Sequence, residues 1–187
     1  WSFWINYHSH TNYMGIFYTG TGTSTYRLKF QNTGQQIYLE ASGGDLLLGD
    51  LGTDIEGTGW HHILFNRVSG TVKTYLDGNE VDSVSRTDTV NSNGNTLYIG
   101  FNASTSYVID GNLTNMALWK GTSLSESQIA TVYNSGKPGN LSSLSPTTWW
   151  KMGDGDEFPT IKDHAGSNNA TMNNMDRNDI EPIVPGS

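Results

Sequence analysis

Residues 59–81 read GWHHILFNRVSGTVKTYLDGNEV, and this stretch decides the fold. Two runs of alternating apolar and polar residues, 61–68 and 71–76, flank the dipeptide Ser69-Gly70. A two-residue connection of this kind between alternating runs predicts a β-hairpin. A second turn at Asp77-Gly78-Asn79 leads into another alternating run. The stretch therefore predicts three consecutive strands joined by tight turns.

Both sides of this stretch continue the same pattern. Ser, Thr, Asn and Gly together make up 80 of the 187 residues, and 21 residues are aromatic. Gly and Asn supply turns, whereas Thr and aromatic side chains suit strands. Strand-like runs recur at spacings of roughly 8–12 residues, as in all-β folds. The further predicted strands are 1–7, 13–18, 26–30, 36–41, 80–84, 96–101 and 112–119, and residues 43–59 are expected to form an acidic loop.

The charge balance excludes several classes of partner. The chain has 10 basic and 18 acidic residues, which gives a formal net charge of −8, and the basic residues form no run. Binding to nucleic acid or to an anionic membrane surface needs clustered Lys and Arg, so neither is expected. No apolar stretch is long enough to span a bilayer. The absence of Cys excludes disulfides and thiolate metal sites.

One helix is predicted within this β-rich pattern. Ser123-x-x-Glu126 has the spacing of a capping box, and an apolar stripe follows it up to Tyr133. Gly136 lies where a C-cap belongs, and Pro138 prevents continuation. A short helix in a β protein commonly covers one end of a core, so we interpret it as structural.

The composition of the chain changes at Pro138. Residues 1–137 are predicted to form a β-sandwich, and residues 138–187 to form a C-terminal extension. Thr148-Trp149-Trp150-Lys151-Met152 has the pattern of a strand, but the rest of the extension is polar. Fifty residues with so few apolar side chains cannot build a core of their own. The extension is therefore expected to pack on the sandwich and to supply a strand.

The order of these motifs resembles the concanavalin A-like, laminin-G-like jelly rolls. The resemblance is carried by residues 59–81, followed by Leu97-Tyr98-Ile99-Gly100, by residues 111–119 and by residues 124–136. It implies an all-β fold in which two antiparallel sheets stack face to face and one sheet offers a concave face. Relatives often carry an Asp-Glu pair that supports calcium where this chain has Thr114-Asn115.

The extension carries a resemblance of its own. Residues 149–156 and 163–171 are similar to the segment that usually opens such a module. The extension either begins a truncated second repeat or supplies strands missing at the front of the sandwich, and we favour the second interpretation. The same segment resembles parts of structural and fibre proteins of marine phages, which implies a virion origin.

Catalysis is not expected. Hydrolytic members of this superfamily place acids on one strand as Glu-x-Asp-x-x-Glu, so that the carboxylates meet one sugar ring. Glu80-Val81-Asp82 is the nearest match, and Ser85 replaces the last carboxylate. No Gly-x-Ser-x-Gly motif supports a serine nucleophile either. We therefore expect a protein that is not an enzyme.

Sugar binding needs an aromatic surface for the C–H face of the ring and polar groups for the hydroxyls. Most aromatic residues of a sandwich belong to its core. Tyr13 and Tyr107 lie in polar segments, and Trp119 lies at the end of a strand. These three residues are the candidates for carbohydrate contact.

Two acidic stretches could supply oxygen ligands to calcium. The candidate ligands are Asp154 and Asp156, beside Glu157; a second group comprises Asp45, Asp50, Asp54 and Glu56. Calcium takes 6–8 oxygen ligands, and neither stretch has the spacing of an EF-hand loop. Solvated acidic loops are the alternative. This interpretation requires no cofactor, and it accommodates a calcium ion.

The sequence favours a non-catalytic, lectin-like module that binds glycan or polysaccharide at an extracellular or virion surface. The alternative is a structural or assembly module whose aromatic residues and extension contact further copies of the chain or other virion subunits. Inference from fold to function is analogy, so the two hypotheses are separated by their predictions. A lectin binds sugars on its own, whereas an assembly module self-associates through a large interface.

Overall fold

A computed structural model shows an all-β protein with one short helix. The structure describes residues 1–9, 13–21, 24–31, 34–41, 44–87, 95–100, 108–153, 155–180 and 185–186. Its strands are β1 (Ser2–Tyr7), β2 (Tyr13–Thr21), β3 (Ser24–Gln31), β4 (Gln36–Ala41), β5 (Gly44–Asp50), β6 (Trp60–Val68), β7 (Thr71–Leu76), β8 (Asn79–Ser85), β9 (Leu97–Ile99), β10 (Gly111–Leu118), β11 (Thr148–Trp150), β12 (Thr160–Ile161) and β13 (Ala170–Thr171). The helix α1 spans Glu126–Tyr133.

Two antiparallel sheets form the sandwich. One has six strands in the order β11-β10-β1-β6-β7-β8, and the other has five in the order β5-β4-β3-β2-β9. The short strands β12 and β13 pair with each other. These two large sheets confirm the predicted two-sheet jelly-roll sandwich of the concanavalin A type.

The main core lies between the inner faces of the two sheets. Alternate residues of β1 and β3 point into it, and Phe3, Ile5, Tyr7 and Phe30 are fully buried. Tyr7 stacks on Phe30 across the sandwich with a distance of 5.0 Å between ring centroids. Because side chains alternate along a strand, the residues between these core positions lie on the outer faces.

The tight turns form as the sequence predicts. Ser69 and Gly70 have φ values of 48° and 81°, and Asp77 and Gly78 have φ values of 49° and 79°. Positive φ at both central residues is the mark of the hairpin turns that match the twist of the strands. These turns join β6, β7 and β8 into one meander.

The N-terminus of α1 differs from the prediction. Ser125, not Ser123, is the N-cap: its hydroxyl accepts a hydrogen bond from the Gln128 backbone, and the Gln128 side chain accepts one from the Ser125 backbone. Glu126 accepts a hydrogen bond of 3.1 Å from the Tyr75 hydroxyl instead. The capping box therefore lies two residues later than predicted, and the carboxylate that the sequence pattern assigned to the cap makes a tertiary contact.

The prediction of an acidic loop over residues 43–59 is wrong for the first half of that range. Residues 44–50 form β5, an edge strand that pairs with β4. The glycine within it has a packing reason, since a Cβ atom at Gly49 would overlap the Thr74 side chain of β7. Glycine in a strand often marks such a close approach.

The C-terminal extension contributes to both the sheet and the core. β11 pairs with β10 at the edge of the six-stranded sheet. Trp150 is 6 % exposed and belongs to the core between the sheets, while Trp149 packs on the opposite side. The boundary between sandwich and extension at residue 137 stays a prediction. One strand of the extension, β11, is an integral part of the sandwich.

Candidate functional site

The outer faces of the two sheets are built differently. The outer face of the six-stranded sheet, which we call the back face, is covered by an apolar cluster. Leu64, Tyr75 and Ala117 of the sheet pack there against Ile129 and Val132 of α1. We call the outer face of the five-stranded sheet the front face, and polar and aromatic side chains occupy it.

One transverse row of front-face residues crosses the five strands. The register pairs Asp45 with Glu40, Glu40 with Arg27, and Arg27 with Tyr18. Tyr18 is paired in turn with Tyr98 of β9. Directly paired residues of antiparallel strands lie side by side on the same face. We call these five residues the front row.

Ion pairs link the polar half of the front row. Arg27 Nη1 donates to both carboxylate oxygens of Glu40, each at 3.0 Å. Lys29 follows Arg27 by two residues on β3 and lies on the same face. Its Nζ donates to Glu40 at 2.9 Å and lies 3.0 Å from Asp45 Oδ1. Positive and negative groups therefore alternate along the chain Arg27–Glu40–Lys29–Asp45, and their formal charges cancel.

Lys29 is the most enclosed of these charged groups, with 5 % of its side chain exposed. Burial opposes the charged form of this amine. Hydrogen bonds to the Glu40 and Asp45 carboxylates outweigh burial and hold the pKa of Lys29 above its ordinary value. Lys29 thus stays positive and fixes both carboxylates in place.

The other half of the front row is aromatic. The Tyr18 and Tyr98 rings lie 6.0 Å apart between centroids, and the Arg27 guanidinium lies 5.6 Å from the Tyr18 centroid. Tyr98 is 43 % exposed, whereas Tyr18 is only 8 % exposed. Gly15 pairs with Lys29, and Gly20 follows Tyr18 by two positions, so both glycines lie on the front face. Tyr18 therefore has no side chain beside it along β2 in either direction.

A second set of polar groups extends the front face along β4. Tyr38 donates to Gln36 at 3.2 Å, and Gln36 donates to Asp50 at 3.1 Å. Burial raises the pKa of Asp50, but donors from Gln35, Gly52 and Gln36 outweigh it and lower the pKa overall. This set places ionised and amide oxygens beside the front row.

Of the three residues predicted to contact carbohydrate, Trp119 alone has its side chain among the described residues. The Tyr13 backbone pairs with Gln31 at the start of β2, but its side chain and the whole of Tyr107 lie outside the described residues. Trp119 is not the surface residue that the sequence suggested. It is 8 % exposed in the back-face cluster, and its indole donates to Leu144 O at 2.9 Å.

The predicted calcium ligands have partners within the protein. Asp156 accepts backbone hydrogen bonds from Gly153 at 2.9 Å and from Lys162 at 2.8 Å, whereas Asp154 lies outside the described residues. Asp45 is paired with Lys29, as described above. Within the described ranges, no three His, Asp or Glu side chains form a group that could hold a metal ion. Calcium binding stays a prediction.

The acids that came nearest to a catalytic motif hold the sandwich together. Glu80 accepts hydrogen bonds from Lys73 at 2.7 Å and from the Tyr75 hydroxyl at 3.3 Å. Asp82 accepts one of 2.8 Å from the Asp50 backbone, which ties β8 to β5. Both carboxylates thus serve contacts between strands.

Sequence comparison now places this architecture in a family. A family model described as the concanavalin A-like lectin/glucanases superfamily matches residues 1–130. The chain belongs to this superfamily. No curated protein sequence matches the chain.

Solved structures show the superfamily fold at low sequence identity. A candidate carbohydrate-binding protein from Bacteroides ovatus is 19 % identical, with a TM-score of 0.64 over 91 % of this chain and 51 % of that one. A heptameric SAP-like pentraxin from Limulus polyphemus is 17 % identical, with a TM-score of 0.54 over 71 % of this chain and 67 % of that one. The chain thus spans about half the length of the Bacteroides protein.

Sequence reasoning missed most of the front row of this superfamily member. The alternation Tyr26-Arg27-Leu28-Lys29-Phe30 does place Arg27 and Lys29 on one face. Recognising their carboxylate partners requires the register of β3, β4 and β5, and the sequence placed β5 in a loop. Tyr98 lies in a strand of three residues, and nothing local marks its pairing with Tyr18.

Proposed function

We propose that the protein is a non-catalytic carbohydrate-binding module and that the front face is its binding site. The single observation that carries this proposal is the front row, in which an exposed tyrosine continues into a fixed chain of ion pairs. Tyr98 is 43 % exposed, and Glu40 and Asp45 side chains are 28 % and 33 % exposed. Aromatic and hydrogen-bonding groups are thus accessible on one surface.

The chemistry of this surface suits a sugar ring. The C–H face of a pyranose packs on an aromatic ring, and its hydroxyls need donors and acceptors at fixed positions. Tyr98 offers an aromatic ring, while Arg27 and Glu40 offer a donor and an acceptor two and three strands further along the row. Because Arg27 and Glu40 already hold each other in place, little side-chain entropy is lost on binding.

The balance of charge favours a neutral glycan. The cations Arg27 and Lys29 are matched by Glu40 and Asp45, so this chain of ion pairs carries no net charge to attract an acidic polymer. The whole protein has a formal net charge of −8, which repels polyanions. The expected ligand is therefore an uncharged oligosaccharide or polysaccharide.

Family and location are consistent with this proposal. The superfamily includes lectins by its description, and the Bacteroides ovatus protein is a candidate carbohydrate-binding protein. Among the described residues, no helix is long and apolar enough to cross a membrane. We propose that the module acts outside the cell, where polysaccharides are accessible.

Substitution at Tyr98 tests the proposal. Neutral glycans are first screened on an array, with calcium and with chelator, and the best ligand is then titrated by calorimetry. Tyr98→Ala is expected to weaken binding about 10-fold, because a stacked aromatic contact contributes about 1–1.5 kcal/mol. Met175→Ala is the matched control, since Met175 is 44 % exposed and lies in the extension.

Several outcomes would contradict the proposal. If the wild-type protein binds no glycan on the array, the proposal of glycan binding is rejected. Self-association in the same sample would then support the assembly hypothesis. Unchanged affinity in Tyr98→Ala would place the sugar elsewhere. If the wild-type protein binds sugar in calcium but not in chelator, the sugar site would be assigned to a calcium loop rather than to the front face.

A further inference from the structure

A cavity of about 590 Å³ opens between the two sheets near the turn that joins β6 and β7. It is separate from the front face, because none of its lining residues belongs to the front row. Its volume falls within the range of small-molecule binding sites. Six of the residues that line it are apolar side chains of the two facing sheets: Phe17, Leu28, Leu39, Leu48, Phe65 and Val72.

The walls of the cavity are held in place by specific contacts. Trp1 lines the cavity and stacks on Phe17, with 4.8 Å between the ring centroids. Asn66 ties down the loop on the other side by donating to Leu124 O at 2.8 Å and accepting from Leu124 N at 3.0 Å. Asn66 is buried, so this loop is fixed to β6 without a solvent-exposed contact.

Two arginines lie at the solvent side of the cavity. Arg67 is exposed, and its guanidinium donates to the Arg86 carbonyl at 2.7 Å. Arg86 is half-buried and donates from Nη2 to the Leu47 carbonyl at 2.7 Å. Its Nε is buried, with no hydrogen-bond partner in the described part of the chain. The mouth of an apolar cavity thus holds positive charge and an unused buried donor.

We propose that this cavity binds a single-chain anionic amphiphile, an alkyl carboxylate of the fatty-acid type. The alkyl chain lies among the apolar walls, where its burial from water is favourable. The carboxylate accepts from the Arg86 guanidinium, whose planar fork matches a carboxylate and whose Nε has no acceptor among the described residues. This activity is independent of glycan binding on the front face.

Calorimetry with three head groups on one alkyl chain tests the proposal. Dodecanoate, dodecanol and dodecyltrimethylammonium are titrated below their aggregation concentrations into the full chain. Dodecanoate is expected to bind saturably at one site. Dodecanol is expected to bind about 10-fold more weakly, since it forfeits a charge-assisted hydrogen bond, and the cationic amphiphile is expected not to bind.

Variants separate the head-group contact from the cavity. Arg86→Gln is expected to weaken dodecanoate about 10-fold relative to dodecanol, because it removes the charged contact with the carboxylate. Its lost hydrogen bond to the Leu47 carbonyl would affect both ligands alike. Leu48→Trp fills the cavity and is expected to abolish both. Lys73→Gln is the matched control, since Lys73 lies on the outer side of β7 and pairs with Glu80. The Tyr98→Ala variant is expected to bind dodecanoate like the wild type.

A measurement on the unsubstituted protein guards against variants that fail to fold. Methyl NMR spectra are expected to show dodecanoate-induced shifts at Leu28, Leu39 and Val72, but not at Val81, which is exposed on β8. Shifts confined to Val81, no saturable binding of dodecanoate, or equal affinity for the cationic amphiphile would each overturn the proposal. So would full dodecanoate affinity in a folded Leu48→Trp variant.

Discussion

His62 is a neutral imidazole buried on the back face. It has no exposed surface, its Nε2 lies 2.7 Å from the Ser2 hydroxyl, and its ring lies 5.0 Å from the Trp4 ring. Burial lowers the pKa of His62 to about 4, and the Asp77 carboxylate only partly opposes this effect. The ordinary pKa of 6.5 applies to the unfolded chain.

This difference makes folding depend on pH. Between pH 6.5 and about 4 the unfolded chain binds a proton at His62 that the folded protein excludes, so stability is full above pH 6.5 and falls as the pH is lowered. The loss is expected to reach about 2–3 kcal/mol at pH 4.5. Urea unfolding of wild type and His62→Gln at pH 7.5 and 4.5 measures it.

The variant is expected to lose most of that pH dependence, because glutamine has no proton to bind in this range. His8→Gln is the control, since the His8 side chain is 49 % exposed and lies 3.7 Å from Asp110. A pH dependence that persists unchanged in His62→Gln would show that other groups govern the acid limb of stability.

Single positions also show where sequence inference ends. Trp119 was expected at the surface because it follows a strand, yet the extension covers it and supplies its acceptor, Leu144 O. The rings of the neighbouring residues His61 and His62 contact different partners, Asp77 and Ser2. Alternation predicts which neighbours share a face, but exposure depends on what packs over that face.

Asp163 anchors the loop at residues 163–168 of the extension to β11. It is 3 % exposed and accepts backbone hydrogen bonds of 2.9–3.0 Å from Trp149, Ala165, Gly166 and Asn168. Burial raises the pKa of this carboxyl, but the four backbone donors outweigh it and hold the pKa below its ordinary value. One ionised side chain therefore organises the loop that covers the sheet edge.

Asp163→Asn is expected to destabilise the protein by about 2–4 kcal/mol, because the amide removes one acceptor and presents donors to backbone N–H groups. Amide exchange at residues 149 and 165–168 should accelerate selectively. Glu157→Gln, an exposed carboxylate in the same extension, is the control and should change stability by less than about 0.5 kcal/mol. Equal effects of the two variants would refute the anchoring role.

Strands differ in how far local sequence predicts them. The meander β6-β7-β8 is marked by alternation and by turn residues with positive φ, so its pairing follows from local chemistry. β5 combines Gly44, Asp45, Gly49 and Asp50, which are turn formers by propensity. It becomes a strand because pairing with β4 and the close approach to Thr74 outweigh that propensity.

The overall charge distribution leads to a prediction about ligand class. The chain of ion pairs Arg27–Glu40–Lys29–Asp45 is electrically balanced within a protein of net charge −8. Affinity for a neutral oligosaccharide should therefore change less than about twofold as ionic strength rises from about 0.01 to 1 M, whereas an ion-pair-driven interaction would weaken steeply over this range. Calorimetry at three salt concentrations measures this dependence.

Glu40→Gln gives the matching control for this prediction. It removes the carboxylate shared by Arg27 and Lys29, so the chain of ion pairs gains one net positive charge. The variant is expected to bind uronic-acid oligosaccharides better than the wild type does, in a salt-dependent manner. Strong salt dependence of the wild type with neutral sugars would contradict a balanced site.

The sequence by itself determined the all-β class, the tight hairpins and the presence of a helix near residues 126–133, because alternation and turn chemistry are local. The order of its motifs, by resemblance, indicated the superfamily. Tertiary structure alone decided the front row, the cavity and the burial of Trp119. These features join residues far apart in the chain, such as Tyr18 with Tyr98 and Leu47 with Arg86. Their positions depend on strand register and on which surfaces are covered, and no local pattern specifies either one.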